Sequence, residues 1–121
     1  MTLATAHKIL NWFKANIGLS DWNVEISLGA PPEWVDGPAD ERYGSTTHQV
    51  QFHRAEVWIN VDRHESREEG DGDTTETLMH ELLHISFEDC GIEFDGDQGE
   101  YHLNRLARVL ASQYWLEILE V

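Results

Sequence analysis

The sequence predicts an α+β fold: an N-terminal helix, a small three-stranded and mainly antiparallel sheet, then two helices. Three observations carry this reading. Apolar residues recur at helical spacing over residues 3–18, alternate with polar ones at period two in short runs between 21 and 61, and return to helical spacing from about residue 74 onward. A chain of 121 residues, 40% hydrophobic and 10% aromatic, has room for one compact domain, residues 1–121, with a core of its own.

The first helix rests on Leu3, Ile9, Leu10, Phe13 and Ile17, with Gly18 as its stop. In DWNVEISL, residues 21–28, Trp22, Val24, Ile26 and Leu28 alternate with polar residues, the pattern of a strand with one buried face. GAPPEWVDGPADERYG then holds all three prolines of the chain and reads as a long exposed loop bordering a cleft, with Trp34 exposed at the rim. Two strands follow, Gly44 to His53 and Ala55 to Val61, joined by a hairpin at His53 and Arg54. Residues 62–76, DRHESREEGDGDTTE, contain no apolar side chain and read as a solvated loop, without the spaced ligands of a calcium loop. Asp73 and Glu76 form a capping-box signal that starts the second helix near Thr74, and Gly91 ends it. Leu103, Leu106, Leu110, Tyr114 and Leu116 place the last helix over residues 99–119.

Charge and cysteine content narrow the function. A net charge of −15 repels phosphate, which argues against nucleic acid and anionic membranes and favours cations and basic or neutral partners. The single cysteine, Cys90, allows no internal disulfide, and the interrupted apolar residues of the N-terminal segment fit neither a signal peptide nor a membrane span, so a cytoplasmic setting is expected. Oligomeric state is left open.

The chemistry concentrates in MHELLHISFEDC, residues 79–90. On a helix His80 and His84 stand one turn apart on one face and can converge on one ion. Glu81 lies about 100° around the helix from His80 and about 60° from His84, beside that ion without having to ligate it. That is the place of a general base, because a zinc ion lowers the pKa of a bound water towards about 7 and a neighbouring carboxylate can take its proton. Seven histidines and fourteen glutamates would produce this five-residue pattern by chance in about one such chain in 20. The surrounding Leu78, Met79, Leu82, Leu83, Ile85 and Phe87 make the helix a buried one, where unpartnered histidines and glutamate are costly. A catalytic zinc site needs a third protein ligand. Glu88 is about 12 Å along the axis from His80, too far to share the ion. Glu100 and His102 open the next helix, and an antiparallel return brings either within reach; an exposed Glu100 would also simply suit a helix N-terminus.

These residues resemble the gluzincin metallopeptidases, which carry HExxH on one helix and a liganding glutamate early on the next. HELLH at 80–84 is similar to the first part. Glu100-Tyr101-His102-Leu103-Asn104-Arg105-Leu106-Ala107 is similar to the second, as it occurs in small repressor-cleaving peptidases of phages and mobile elements. The resemblance covers about the last third of the chain and implies a compact zincin-like domain with Zn2+ held by His80, His84 and Glu100, Glu81 as catalytic base, and Asn104 supporting the ligands. It makes His102 the second choice as ligand, and implies that AEVWINV runs beside the cleft and pairs with a peptide substrate. Larger gluzincins have a second domain forming the far wall of the cleft, so this chain resembles a minimal version. Tyr43, Tyr101 and Tyr114 are the tyrosines available to steady an oxyanion.

The expectation is therefore a zinc-dependent endopeptidase, active or latent, acting on protein or peptide. The alternative from another class is an inactive, zinc-stapled acidic module that binds protein. A third reading has the apolar end, residues 114–121, folded back over the cleft.

Overall fold

The computed structural model describes residues 1–65, 70–94 and 96–120, with the backbone alone for Glu65 and residues 70–73. The α+β class holds. Helix α1 (Leu3–Asn16) leads to β1 (Asn23–Ser27), β2 (Gly44–Gln49) and β3 (Arg54–Ile59), followed by α2 (Val61–Glu65), α3 (Gly70–Asp89) and α4 (Gly96–Leu119).

Thr2 caps α1, its hydroxyl accepting from Thr5 N–H, and Gly18 at φ +96° lets the chain leave the helix in a conformation that residues with a Cβ rarely adopt. Ala6, Ile9, Leu10, Trp12 and Phe13 of α1 are buried.

The sheet is mixed rather than mainly antiparallel. Its order is β1-β3-β2, with β1 parallel to β3 and β2 antiparallel to β3. The reason is the long loop after β1. It carries the chain across the end of β3 to the far edge, so that β2 returns antiparallel and β3 fills the gap between them. Two side chains hold this crossing: Trp58 Nε1 donates to Gly29 O (3.0 Å), and Asn60 Nδ2 donates to Arg42 O (2.9 Å) and Ala39 O (3.3 Å). The hairpin turn is also longer than expected, a short 3-10 helix at Val50–Phe52 followed by His53 at φ +50°.

Ala55, Val57 and Ile59 face inward and join Val24, α1, α3 and α4 in one core. Trp58 points to the opposite face and is nonetheless 1% exposed, because the loop from Gly29 covers it. Trp34 lines a groove on that outer face with Glu25, Arg54 and Glu56, so it does not sit at the rim of the histidine cleft.

The solvated loop expected over 62–76 is partly helical. Asn60 starts α2, its Oδ1 accepting from Arg63 N–H at 3.1 Å. Helix α3 begins at Gly70, so Asp73 lies inside it rather than at its N-cap; carboxylates clustered near a helix N-terminus complement the dipole and favour the earlier start. Residues 66–69 of the acidic run lie outside the described residues. α3 ends as expected in a Schellman motif, with Gly91 N–H donating to Glu88 O (2.9 Å) and Ile92 N–H to Phe87 O (2.8 Å) around Gly91 at φ +79°. α4 then folds back along α3. Its last turn buries Ile118, and Lys8 Nζ donates to Leu119 O at 3.2 Å, which ties the C-terminal segment to α1 and away from the cleft. Among the described residues no helix is long and apolar enough to cross a membrane.

Candidate metal centre

The middle of α3 is deeply enclosed. Leu78, Met79, Leu82, Leu83 and Ile85 are at most 2% exposed, and the helix packs against α1, α2, α4, β2 and β3. This apolar grip fixes the rotation of α3 and thereby aims His80, Glu81 and His84 at the gap between β2 and the first turn of α4.

Across that gap stands Glu100. His80 Nε2 lies 2.7 Å from Glu100 Oε2, His84 Nε2 lies 3.1 Å from Glu100 Oε1, and the two Nε2 atoms are 3.2 Å apart. A tetrahedral ion with ligand bonds of 2.0–2.1 Å separates its ligand atoms by roughly 3.3 Å. The two imidazoles and the carboxylate come close enough to share such an ion, and they could hold a metal. The donor set fits a borderline divalent ion, two imidazoles and a carboxylate. His80 is buried, whereas the side chain of Glu100 is 48% exposed, so the cluster opens towards solvent on the α4 side and leaves room for a further ligand. His80 Nδ1 is buried and has no hydrogen-bond partner among the described residues, so the ring's polar contacts are those of Nε2, to Glu100 and His84.

Of the two downstream candidates, helix phase brings Glu100 and not His102 beside the histidines. His102 is exposed and its ring meets Tyr101, while Leu103 and Ala107 of the same helix are buried against the core and turn Glu100 to the histidines. Gly99 sets how close that first turn can come. A Cβ there would stand 2.6 Å from the carbonyl carbon of Phe94, whose ring packs against Phe87 of α3. Gly99→Ala is expected to push the turn and Glu100 outward and to weaken any affinity of the cluster for a divalent metal by about tenfold or more, as loss of an outer support does, measured by competition with a chromophoric chelator; unchanged affinity would show that Glu100 is not held this way.

Glu81 does not join the three ligand atoms. It is 9% exposed, and Thr46 of β2 donates its hydroxyl hydrogen to Oε2. Burial pushes the Glu81 carboxyl above the ordinary carboxylate range, and Glu100 adds to this, while Thr46 and the two histidines pull the other way.

Sequence reasoning missed four residues here. β2 alternates so that Gly44, Thr46 and His48 share one face, and that face lies along α3: Gly44 meets Thr77, Thr46 meets Glu81, and His48 pairs with Glu88. Arg42 lines the same groove of about 390 Å³. The signal was present in GSTTHQ, whose period-two placement groups Thr46 with His48, but a polar strand shows no apolar stripe to orient it. Glu88, too far from His80 to share an ion, serves this strand contact.

Of the tyrosines, Tyr114 packs on Trp12 and Tyr101 accepts from Arg105, whereas Tyr43 lines the groove beside Asn104, Thr77 and Glu100. The substrate strand is also reassigned. β3 is central, with both edges taken by β1 and β2, so a peptide cannot pair along Ala55 to Val61. β1 and β2 are the edge strands, and β2 is the one beside the cluster; among the described residues no strand pairs with its outer edge. Asn60 N–H donates to Tyr43 O at 2.9 Å, which makes 43 and 60 a hydrogen-bonded pair; alternation along the register then leaves the backbone groups of Gly44, Thr46 and His48 facing outward.

No protein-family model matches this chain, and neither a curated protein nor a solved structure is significantly similar to it.

Proposed function

We propose that the chain is a zinc-dependent metallopeptidase, an endopeptidase of minimal gluzincin type, with His80, His84 and Glu100 as metal ligands and Glu81 as general base. The observation that carries this reading is the convergence of three ligand atoms beside a buried carboxyl that is not one of them. When bound, zinc supplies Lewis acidity, lowering the pKa of a water towards about 7 and polarising a carbonyl.

The chain's own groups do the rest. A peptide adds to the free edge of β2, with Gly44, Thr46 and His48 offering backbone hydrogen bonds. A scissile carbonyl opposite Thr46 would stand next to Glu81, which Thr46 contacts. A carboxyl held above its ordinary pKa by burial is a stronger base than a free one. Glu81 takes a proton from the attacking water and delivers it to the leaving amine, while Thr46 holds the second oxygen still.

Protein purified without chelator is expected to carry, or to take up, close to one zinc ion per chain, and Glu100→Ala to bind it at least about tenfold more weakly, read by elemental analysis and competition titration. Folded wild-type protein that neither carries nor takes up zinc would end the enzyme reading. Zinc uptake without cleavage of any peptide would instead favour the zinc-stapled binding module.

A further inference from the structure

The cleft beside the three ligand atoms is acidic except at one point. Two adjoining grooves flank the cluster, sharing His80, Glu81, Glu100, Gly44 and Arg42, and among the described residues Arg42 is the only lysine or arginine lining either of them. Its side chain is exposed and has no carboxylate partner among the described residues, in a chain with 23 acidic and 8 basic residues.

Its backbone, in contrast, is fixed. Arg42 N–H donates to Ala39 O at 3.1 Å, and Arg42 O accepts from Asn60 Nδ2 at 2.9 Å. The residue is extended, with φ −104° and ψ 143°. Strand alternation therefore continues from Gly44, Thr46 and His48 back to Arg42 and places it on the same, cleft-facing side. It precedes Thr46 by about 13 Å at 3.3 Å per residue. A peptide pairing antiparallel with β2, the more stable arrangement, runs its C-terminal end towards Arg42.

We propose that Arg42 anchors a carboxylate on the C-terminal side of the scissile bond, so that the substrates of this cleft are peptides bearing an acidic side chain or a nearby free C-terminus there. The inference rests on the peptidase reading above. Its physical basis is sign. Glu81, Glu88 and Glu100, within a chain of net charge −15, repel an anionic peptide, and a guanidinium offers a bidentate partner that offsets this at one register position only.

The test uses zinc-loaded protein and a set of labelled peptides that differ at one point: Asp or Glu against Asn or Gln two to four residues after the cleavage point, and free acid against amide at the C-terminus. Cleavage is measured with the wild type and binding, by fluorescence anisotropy, with Glu81→Gln. Peptides with the carboxylate are expected to bind about tenfold more tightly. Arg42→Gln, an exposed substitution whose folding is checked by its melting temperature, should level the two sets. Arg42→Lys should keep part of the preference, and Arg42→Glu should reverse it towards lysine-bearing peptides. The side-chain and C-terminal arms show which carboxylate is read. Cleavage without any carboxylate preference, or a preference that survives Arg42→Gln, overturns this inference and leaves the peptidase reading standing. No binding or cleavage of any peptide by zinc-loaded protein overturns both.

Discussion

Glu81→Gln is expected to keep its zinc and to lose peptide hydrolysis by about 10²–10⁴-fold, the usual worth of a positioned general base. The amide has the shape of the carboxyl and can still accept from Thr46, so the groove should survive; what disappears is the ability to take a proton. The loss should fall on kcat, with peptide binding to the edge of β2 retained. A second readout separates this from simple damage. Burial holds the Glu81 carboxyl above its ordinary range in the metal-free protein, so the folded state binds that proton more tightly than the unfolded chain does. Wild-type stability then declines as pH rises from the unfolded value, near 4.5, through the higher folded value. In chelator-stripped protein Glu81→Gln should be the more stable at neutral pH, and the advantage should vanish below the unfolded value. A variant that hydrolyses peptides as fast as wild type would remove Glu81 from the mechanism.

Zinc is expected to raise the melting temperature of the stripped protein by about 10–15 °C. A ligand at 1,000 times its dissociation constant stabilises by about 4 kcal/mol, and a domain of this size gains roughly 3–4 °C per kcal/mol. The site joins α3 to the first turn of α4, so the ion closes the contact that holds the second helix on the first. His84→Ala removes a ligand from the middle of the cluster and should abolish most of the gain, with little change in the stripped protein because His84 is partly exposed. Scanning calorimetry with and without zinc decides this. An equal gain in His84→Ala would mean that the ion sits elsewhere.

Much of this molecule was legible from spacing alone. The apolar period placed α1 and α4, alternation placed β1 and β3, and HELLH placed two imidazoles on one helical face. What spacing could not give was the identity of neighbours. Nothing in NVEIS says that its partner is a strand arriving thirty residues later in the same direction, which is why the parallel pair was missed. α2 escaped because its start depends on Asn60, a residue that reads as the end of a strand. The partners of Glu81 were hidden for a related reason: β2 is polar on both faces, and its orientation comes from what it touches on α3. Glu100 could be chosen over His102 only through a resemblance, whereas in the structure burial of Leu103 and Ala107 makes the same choice physically.

The turn between Asp89 and Gly96 looks like the most replaceable part of the chain, and the loop between β1 and β2 like a structural necessity. For the metal centre the reverse holds. The long loop only has to reach across one strand, and an added residue could bulge into solvent. The short turn instead acts as a gear between two shafts. A residue gained or lost there finds little slack, because the first turn of α4 already lies so close to Phe94 that Gly99 has no room for a Cβ, and it would displace the turn that carries Glu100. Variation in length should therefore be permitted in the long loop and forbidden in the short one, even though neither contributes a ligand.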